Sequence, residues 1–343
     1  MEKTCLKGMN QAELKSWCVE LGESRFRGVQ LFEWMYHHGS TSFASMSNVK
    51  KSFREHLEKN CIIQTLQVEK NIPSQKEESV KILFRTKEDQ FIETVSMVGG
   101  DRHTVCISSQ VGCALDCSFC ATGSLGLKRN LTTGEIVDQL IYVRGNINHP
   151  ITNVVFMGMG EPFHNYDNVL NAADIFHSPK GFNLASTRIT ISTAGLLPQI
   201  KQFIDEKRRY KLAISLNASD DGVRNKIMPI NKKWNINNLI QAGRKYSYQK
   251  KRLVMFEYVL LKDINDSEKD ALELARLLHG IPCKVNLIPY NETDGQYQRP
   301  DEDVISRFSE ILHENRDVYR VMVRWSKGQD IDAGCGQLAG QAV

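Results

Sequence analysis

The sequence of 343 residues predicts an α/β fold in which parallel strands alternate with helices. Two observations lead to this prediction. Short apolar runs rich in β-branched residues recur from about residue 100 onward, and stretches with helical spacing separate them. Strand, helix, strand repeated about six times implies right-handed crossovers, and hence an open parallel sheet or a barrel.

Residues 1–65 are predicted to form a small helical domain. Asn10 and Glu13 have the spacing of a capping box, which marks the start of a helix. Apolar residues then recur at helical spacing in two places, Leu31, Trp34 and Met35 and again Phe53, Leu57 and Cys61.

Residues 66–100 are predicted to form a β-hairpin that links this domain to the rest of the chain. The apolar runs 80–84 and 91–95 would be its strands, and the polar segment at 87–89 its turn. Residues 101–343 would form the main domain, with strand-like runs at 104–107, 153–157, 188–192, 212–216, 254–259, 284–288 and 319–324. A second capping box, Thr132 to Glu135, begins a helix between the first two runs.

Composition excludes several classes of protein. The chain is 41% hydrophobic and 24% charged, as in ordinary globular proteins, and its net charge of +4 is too small to identify a partner. The mean hydropathy is −0.36, and no apolar run approaches the roughly 20 residues that span a bilayer. The start of the chain lacks the pattern of a secretory signal, and the nine cysteines are typical of a reducing compartment. We therefore expect a cytoplasmic protein without a membrane segment.

The residues that suggest chemistry follow the predicted strands. In folds of this kind the reactive groups lie where strands end and the next loops begin. The candidates are the cysteines after the first run, the glycine motif 158–162 after the second, Ser192, the segment 215–217, Asn291 and Cys335.

Cys113, Cys117 and Cys120 form a CxxxCxxC motif on a predicted loop. Thiolates are soft ligands that favour zinc or iron–sulfur clusters. Zinc normally takes four protein ligands in paired knuckles, and no second pair follows here. Three thiolates would hold three irons of a [4Fe–4S] cluster and leave the fourth iron open to a substrate. A zinc site with a distant fourth ligand and three unrelated thiols remain as alternatives, and the glycine motif alone could be a tight turn.

The CxxxCxxC spacing is the signature of the radical S-adenosylmethionine (SAM) superfamily, and longer motifs narrow the resemblance. From about residue 20 onward the chain resembles the RlmN/Cfr dual-cysteine RNA methyltransferases. This resemblance implies a partial (β/α)6 barrel with a small helical N-terminal RNA-binding domain. The matching motifs are residues 107–113, 119–123, 127–131, 157–162, 228–232, 285–289 and 330–338.

The resemblance implies methylation of an adenine of 23S rRNA in the peptidyl-transferase centre, at C2 in one branch of the family and at C8 in the other. Cys335 would carry the methyl group as S-methylcysteine, and Cys106 would resolve the protein–RNA adduct through a transient disulfide. Glu93 would accept a proton. The cofactors implied are a [4Fe–4S] cluster on the three clustered cysteines and two SAM molecules per turnover. The positions that would hold SAM are Gly160, Glu161, Ser192, Ser215, Leu216, Asn217 and Asn291.

The resemblance also implies partners. These are 23S rRNA, with tRNA as a second candidate, and a low-potential electron donor such as flavodoxin; we expect a monomer. Residues 201–255 contain 14 Lys and Arg against 4 Asp and Glu. Within them, the segments 207–211 and 244–252 interleave tyrosines with cations, which suits phosphates and unstacked bases, although two solvated helices would look the same.

Two positions depart from the family pattern. Asn217 stands where His is common, so a titrating role there is in doubt. Gly334 stands where Ala is more frequent, and we expect it to loosen the loop that carries Cys335. Pro162 resembles the C2 branch more than the C8 branch.

The lone cysteines have structural alternatives. Cys106 lies in an apolar strand and could simply be buried there, as cysteine often is. Cys335 could be a packed thiol, although the glycines beside it argue against this, and Glu93 could be an ordinary strand residue. Three hypotheses follow: a C2 methyltransferase, a C8 methyltransferase, and a non-catalytic iron–sulfur protein that binds RNA.

Overall fold

The structure is a computed structural model that describes residues 3–293, 296–314 and 318–340. Its N-terminal part is helical, and the predicted capping box of Asn10 and Glu13 is present at the start of the first helix. The helix over 51–60 ends one residue before Cys61, which lies in a short strand instead of on the helix. The elements are β1 (Thr4–Cys5), α1 (Gln11–Glu20), α2 (Arg25–Phe32), a π-helical turn (Glu33–His37), α3 (Lys51–Asn60) and β2 (Cys61–Ile62).

A buried aspartate attaches this helical part to the main domain. Asp138 accepts hydrogen bonds from both the backbone N–H and the hydroxyl of Thr65, each at 2.6 Å, and pairs with Lys7 at 3.2 Å. All three residues are buried. Because a buried charge without partners is costly, these contacts fix how the two parts of the chain pack together.

Three antiparallel strands follow, where the sequence analysis predicted a hairpin of two. They are β3 (Gln67–Pro73), β4 (Ser79–Arg85) and β5 (Phe91–Gly99), and β5 pairs with the first strand of the main domain. The first of them is almost wholly exposed and polar, which explains why its sequence gives no alternating apolar signal. The segment is therefore an extension of the main sheet rather than a separate hairpin.

Seven parallel strands form the main part of the sheet, in the order in which they occur in the chain. Each run predicted from the sequence coincides with one of them to within two residues. The strands are β6 (Arg102–Cys106), β9 (Asn153–Phe156), β10 (Ile189–Thr193), β11 (Lys211–Ser215), β12 (Val254–Leu260), β13 (Cys283–Pro289) and β14 (Val318–Val323), and β7 (Gln110–Val111) and β8 (Arg129–Asn130) form a separate small pair.

Helices connect the parallel strands and cover the outer face of the sheet. The predicted capping box of Thr132 and Glu135 begins the first long one. The helices are α4 (Ala121–Ser124), α5 (Thr133–Asn146), α6 (Tyr166–His177), α7 (Leu197–Asp205), α8 (Asp221–Ile227), α9 (Ile236–Lys250), α10 (Glu268–Leu278) and α11 (Glu302–Glu314).

The inner face of the sheet surrounds a cavity of about 650 Å³. Residues of β5 and of all seven parallel strands line it, which a flat sheet could not achieve. Because β3 and β14 are the two unpaired edges, the curved sheet is an open, partial barrel. Among the described residues, helices are too short or too polar to cross a bilayer.

Candidate active site

The cysteine motif lies in the loop after β6, and backbone hydrogen bonds fix its shape. The N–H of Cys113 donates to the carbonyl of Gly126 at 3.2 Å, and the N–H of Cys120 donates to that of Cys117 at 3.0 Å. The N–H of Ser118 reaches the carbonyl of Ile227 at 3.0 Å. The three thiols are therefore held on one loop, and each remains partly exposed and free of any disulfide.

The environment of these thiols fits a cationic group. Burial raises the pKa of Cys113 to about 12, and burial together with the neighbouring thiolates raises those of Cys117 and Cys120. Three thiolates this close would repel one another unless a metal centre neutralised them. Among the described residues, no three His, Cys, Asp or Glu side chains converge on a single-ion site. The donor set suits an iron–sulfur cluster, whose ligands stand farther apart, better than one zinc ion.

The glycine motif after β9 places a buried carboxylate beside the cysteine loop. Gly160 has a φ of +96°, and a Cβ there would lie 2.4 Å from the Cβ of Gln110. Glu161 is buried and accepts the backbone N–H groups of Phe163 at 2.9 Å and Ala194 at 2.8 Å. Burial raises the pKa of Glu161 to about 7, so a ligand that brings an ammonium group would favour its charged form.

Ser192 and Ser215 converge on a residue that the sequence analysis missed. Glu257, in the middle of β12, accepts the hydroxyl of Ser192 at 2.6 Å and that of Ser215 at 3.5 Å through the same oxygen. Its other oxygen is buried and has no hydrogen-bond partner. The sequence does contain a signal for Glu257, because it is the one acidic residue within the apolar run 254–259. An unsatisfied buried carboxylate oxygen indicates that this site takes a ligand with donor groups.

Leu216 and Asn217 serve packing in this structure. Leu216 is completely buried, and Asn217 has a φ of +57°, a conformation that Asn tolerates better than most residues. The side-chain oxygen of Asn217 accepts the N–H of Val259 at 2.9 Å, and its amide faces the sulfur of Met228 at 3.3 Å. These bonds join the ends of β11 and β12.

The C-terminal segment brings Cys335 to the same end of the barrel. Asn291 donates its amide to the carbonyl of Cys335 at 3.0 Å and to the hydroxyl of Ser326 at 2.8 Å, so it holds the loop of Cys335 directly. The N–H of Ala121 donates to the carbonyl of Gly336 at 2.7 Å, and the hydroxyl of Thr122 donates to that of Leu338 at 2.5 Å. The loop that contains Cys335 therefore rests on the loop of the clustered cysteines.

Cys106 and Cys335 line the same cavity. Burial raises the pKa of Cys106 to about 12, and the charge of Cys335 acts in the same direction. Arg324, directly after β14, lines this cavity too, and its positive charge acts against the rise in the pKa of Cys106. Cys335 in turn raises the pKa of Arg324 most, with further contributions from Glu257 and Cys106. The sequence analysis did not single out Arg324, although a cation that closes an apolar strand was visible there.

Glu93 is buried in β5, where it binds the end of the C-terminal segment. One oxygen accepts the N–H groups of Ala339 at 2.8 Å and Gly340 at 3.0 Å, and the other pairs with Lys81 at 3.2 Å. Lys81 also donates to the carbonyl of Asp332 at 3.4 Å. The carboxylate is thus a clamp on the segment that carries Cys335.

The basic segments lie elsewhere, and part of the expectation about them was wrong. Tyr210 and Tyr246 are buried in the core, so neither ring can stack on a base, whereas Tyr248 is 59% exposed. Both segments run into the amino ends of strands, β11 and β12, while the cysteines lie at the carboxyl ends. The two ends of the barrel therefore differ in chemistry.

Comparison with known proteins agrees with this arrangement. Residues 4–63 match the family model described as the ribosomal RNA large subunit methyltransferase N-terminal domain, and residues 107–275 match that of the radical SAM superfamily. A dual-specificity RNA methyltransferase RlmN from Geotalea uraniireducens is 42% identical over 99% of this chain and 98% of its own length. Another from Syntrophotalea carbinolica is 44% identical over 98% and 90%. The crystal structure of a radical SAM methyltransferase from Sphaerobacter thermophilus has a TM-score of 0.93 at 42% identity, covering 98% of this chain and 100% of that one.

Proposed function

The chain belongs to the RlmN family of radical SAM RNA methyltransferases, and we propose that it methylates C2 of an adenine in the peptidyl-transferase centre of 23S rRNA by way of S-methylcysteine. The observation that carries this proposal is the shared cavity of Cys106 and Cys335. Neither cysteine is needed by an iron–sulfur protein that only binds RNA. Two lone thiols in one cavity suit a covalent carrier and its resolving partner.

Cys113, Cys117 and Cys120 would hold a [4Fe–4S] cluster. When bound, this group would supply the one electron for the reductive cleavage of SAM to methionine and a 5′-deoxyadenosyl radical, which would take a hydrogen atom from the methyl group on Cys335. Glu161, Ser192 and Ser215 would hold SAM. We add Glu257, because one of its oxygens accepts the hydroxyls of both serines and its other oxygen is buried without a hydrogen-bond partner. A carboxylate suits two neighbouring hydroxyl groups, such as those of a ribose.

Gly160, Leu216, Asn217 and Asn291 would shape this site by keeping the surrounding loops in position. Asn291 does so by holding the carbonyl of Cys335, and Asn217 by joining two strand ends. Since both amides are already engaged with protein atoms, their part in SAM binding would be to keep the surrounding loops in position.

Cys335 would attack the methyl group of a first SAM molecule, forming the S–CH₃ bond and releasing S-adenosylhomocysteine; a second SAM is used in each turnover. The methylene radical would add to the base, and the adduct would then lose the proton of the attacked carbon and return one electron to the oxidised cluster, so that all electrons are paired again. The thiolate of Cys106 would then attack the sulfur of Cys335. The S–S bond forms, the C–S bond to the base breaks, and its electron pair stays with the methylene carbon, which takes up a proton.

Glu93 would accept the proton that leaves the base. Its carboxylate is occupied by Lys81 and the N–H groups of Ala339 and Gly340 in this structure. To accept a proton from the base, Glu93 must be released from Ala339 and Gly340, so these residues would have to move away when RNA binds.

C8 of the same adenine is the second candidate, and the motif Gly160-Glu161-Pro162 favours C2. The relatives are named dual-specificity RNA methyltransferases, which supports a second RNA substrate, and tRNA is the candidate that we propose for it. The proposal further includes a helical RNA-binding domain over 1–65, a β-linker over 66–100, a barrel over 101–343, a low-potential electron donor such as flavodoxin, a monomer and a cytoplasmic location. All nine cysteines are free thiols in this structure, which is compatible with that location.

The test is methylation of a 23S rRNA fragment by protein reconstituted with iron and sulfide under anaerobic conditions. SAM with a deuterated methyl group should give 2-methyladenosine that has lost one deuterium, because the methyl group passes through a methylene stage. Mass spectrometry of the nucleosides distinguishes C2 from C8 products.

Cys335→Ala should abolish base methylation, whereas Cys5→Ala, which removes a thiol of the N-terminal module, should not. Retained methylation in the Cys335 variant would remove its carrier role. Absence of SAM cleavage in reduced wild-type protein would favour the non-catalytic alternative, and a product that keeps every deuterium would exclude transfer through a methylene group.

A further inference from the structure

The cavity that Cys106 and Cys335 line has no lining residue in common with the proposed SAM site. Within the described part of the chain, its lining includes none of the three clustered cysteines and none of the residues to which we assign SAM binding. The residues that do line it combine apolar ones, such as Met255 and Met322, with amides, such as Asn153. A flat base with hydrogen-bonding edges fits such surroundings. The volume of about 650 Å³ is therefore available to the substrate.

Trp325 stands at the gap that the open barrel leaves in its wall. It comes two residues after the end of β14, which is an edge strand of the sheet. Two residues later, the side chain of Lys327 donates to the carbonyl of Val98 on β5 at 2.5 Å. The chain therefore crosses from one side of the barrel to the other directly after Trp325. Because residues of both sides line the cavity, this crossing lies where the cavity is not closed by paired strands.

The exposure of Trp325 distinguishes it from the other large apolar residues of the surface. It is 47% exposed, and among the exposed large apolar residues of the described chain it alone lines the cavity. Within the same residues, its indole makes no contact with another ring or a cation, and its Nε1–H has no hydrogen-bond partner. The N–H of a buried, structural tryptophan usually finds a partner, and exposed tryptophans are enriched where another molecule binds. Trp325 therefore offers both a ring face and a donor to a ligand.

A base is the ligand that suits an exposed indole at the opening of this cavity. Enzymes that modify a base take it out of its stack and hold it between aromatic or apolar side chains. The target adenine has to reach Cys335 and Cys106, and both line the cavity that opens beside Trp325. The indole can replace the stacking that the adenine loses when it leaves its neighbours in the RNA.

We propose that Trp325 stacks on the target adenine and so holds it in the cavity that Cys335 lines. This inference rests on the proposed function, because it takes an adenine of an RNA as the substrate. Trp325 contacts the substrate but takes no part in the making or breaking of bonds. Its loss therefore weakens the binding of the adenine and leaves the methylation of Cys335 by SAM unchanged.

The experiment is a double-mutant cycle between Trp325 and the target base. Full-length, cluster-loaded protein without SAM is titrated with two RNA hairpins, which are identical except that one has an abasic site in place of the target adenine. Wild type is compared with Trp325→Leu and with Trp325→Phe, which keeps a smaller ring. The control is Leu272→Ala, because Leu272 is also an exposed apolar residue but lies on α10 and outside the cavity.

Trp325→Leu should weaken binding of the adenine hairpin about 10- to 100-fold, which is the usual effect of removing an aromatic ring from beneath a base. The same substitution should change the affinity for the abasic hairpin by less than about twofold, because the base that it contacts is absent. Trp325→Phe should lose only a few-fold with the adenine hairpin and nothing with the abasic one. Leu272→Ala should match wild type with both RNAs.

Equal losses with the two hairpins would overturn the inference, because Trp325 would then act on another part of the RNA, and so would wild-type affinity of Trp325→Leu for the adenine hairpin. Formation of S-methylcysteine from SAM without RNA should proceed at the wild-type rate in every variant, which shows that the loop of Cys335 is intact. If Trp325→Leu fails this check, the same comparison of hairpins is made with Trp325→Phe. Wild-type protein that forms no S-methylcysteine would instead contradict the proposed function.

Discussion

Cys106 and Cys335 line one cavity, but the chain holds them there in different ways. Cys106 is part of β6, which pairs with β5 on one side and β9 on the other, so its position follows from the sheet. Cys335 lies in a loop without regular structure and is held by hydrogen bonds from Asn291 and the cysteine loop. The sheet fixes the position of Cys106, whereas a few hydrogen bonds to its loop fix the position of Cys335.

This difference corresponds to the proposed roles. A carrier has to reach SAM, then the base, and then its resolving partner, so a loop that can be released suits it. A resolving thiol has to stay in place and remain unreactive until the adduct forms. Burial provides this for Cys106, because a thiol with a pKa of about 12 is almost wholly protonated near neutral pH.

The strongest test of this comparison is the pH dependence of alkylation at Cys106, measured in Cys335→Ser protein. The pKa of about 12 in the wild type comes mainly from burial, and the variant removes only the smaller contribution of the Cys335 charge, so the thiolate fraction should still grow about tenfold per pH unit above pH 9. The rate with iodoacetamide, followed by mass spectrometry of the peptide that contains Cys106, should rise about hundredfold from pH 8 to 10.

The same peptide in denatured protein is the control. Its cysteine has an ordinary pKa of about 8.5, so its rate should rise only about fourfold over this interval. A folded-state rate that levels off near pH 9 would show that burial does not suppress the reactivity of Cys106, and the contrast with the loop cysteine would fail.

A smaller effect is expected when the contact between Glu93 and the C-terminal segment that contains Cys335 is weakened. Glu93→Gln removes the charge that Lys81 pairs with and that the N–H groups of Ala339 and Gly340 share. Charge-assisted hydrogen bonds of this kind contribute about 2 kcal/mol, so these amides should exchange with deuterium roughly 30-fold faster.

Hydrogen-exchange mass spectrometry of a peptide that covers 333–340 measures this, with Glu78→Gln as the control, because the side chain of Glu78 is exposed. The peptide that contains Cys106 should keep its protection in both variants. If the Cys106 peptide and the 333–340 peptide both exchange faster in Glu93→Gln, the Glu93 carboxylate stabilises the whole sheet. It would then not act specifically on the segment that contains Cys335.

Much of this arrangement could be predicted from the sequence. The parallel strands follow from apolar runs whose length and β-branched content are strong signals, and the cysteine motif follows from its spacing. The exposed strand Gln67–Pro73 was missed because a polar edge strand carries no alternation of apolar residues. The tyrosines of the basic segments were misplaced because Tyr210 and Tyr246 carry both a polar group and a ring that packs well in a core.

The residues that act through long-range contacts could not be predicted in the same way. Lys81 and Glu257 each lie in a strand whose pattern is dominated by its apolar neighbours, and Arg324 directly follows such a strand. Their partners are distant in the sequence, as Lys81 and Asp332 show. Only the folded chain brings them together, although a single charge within an apolar run is a signal worth following.

Of the substitutions considered, Gly334→Ala is expected to have the smallest effect, on methyl transfer to Cys335. The sequence suggested that this glycine loosens the carrier loop, but in the structure it allows a close approach. Its N–H donates to the side chain of Gln337 at 2.9 Å, and a Cβ would lie 2.7 Å from Cγ of Asn291. Asn291 is buried and holds the carbonyl of Cys335, so it has little room to move.

Gly334→Ala should therefore slow methyl transfer from SAM to Cys335 a few-fold, because Asn291 must shift and its bond to the carrier loop weakens. The rate is measured as the single-turnover appearance of S-methylcysteine. Gly145→Ala is the control, since a Cβ there meets no atom within 4 Å. In an Asn291→Ala background the Gly334 substitution should cost less, because the side chain in its way is gone. An equal cost in both backgrounds would mean that Gly334 acts through the backbone of the loop, and that side-chain contacts do not position Cys335.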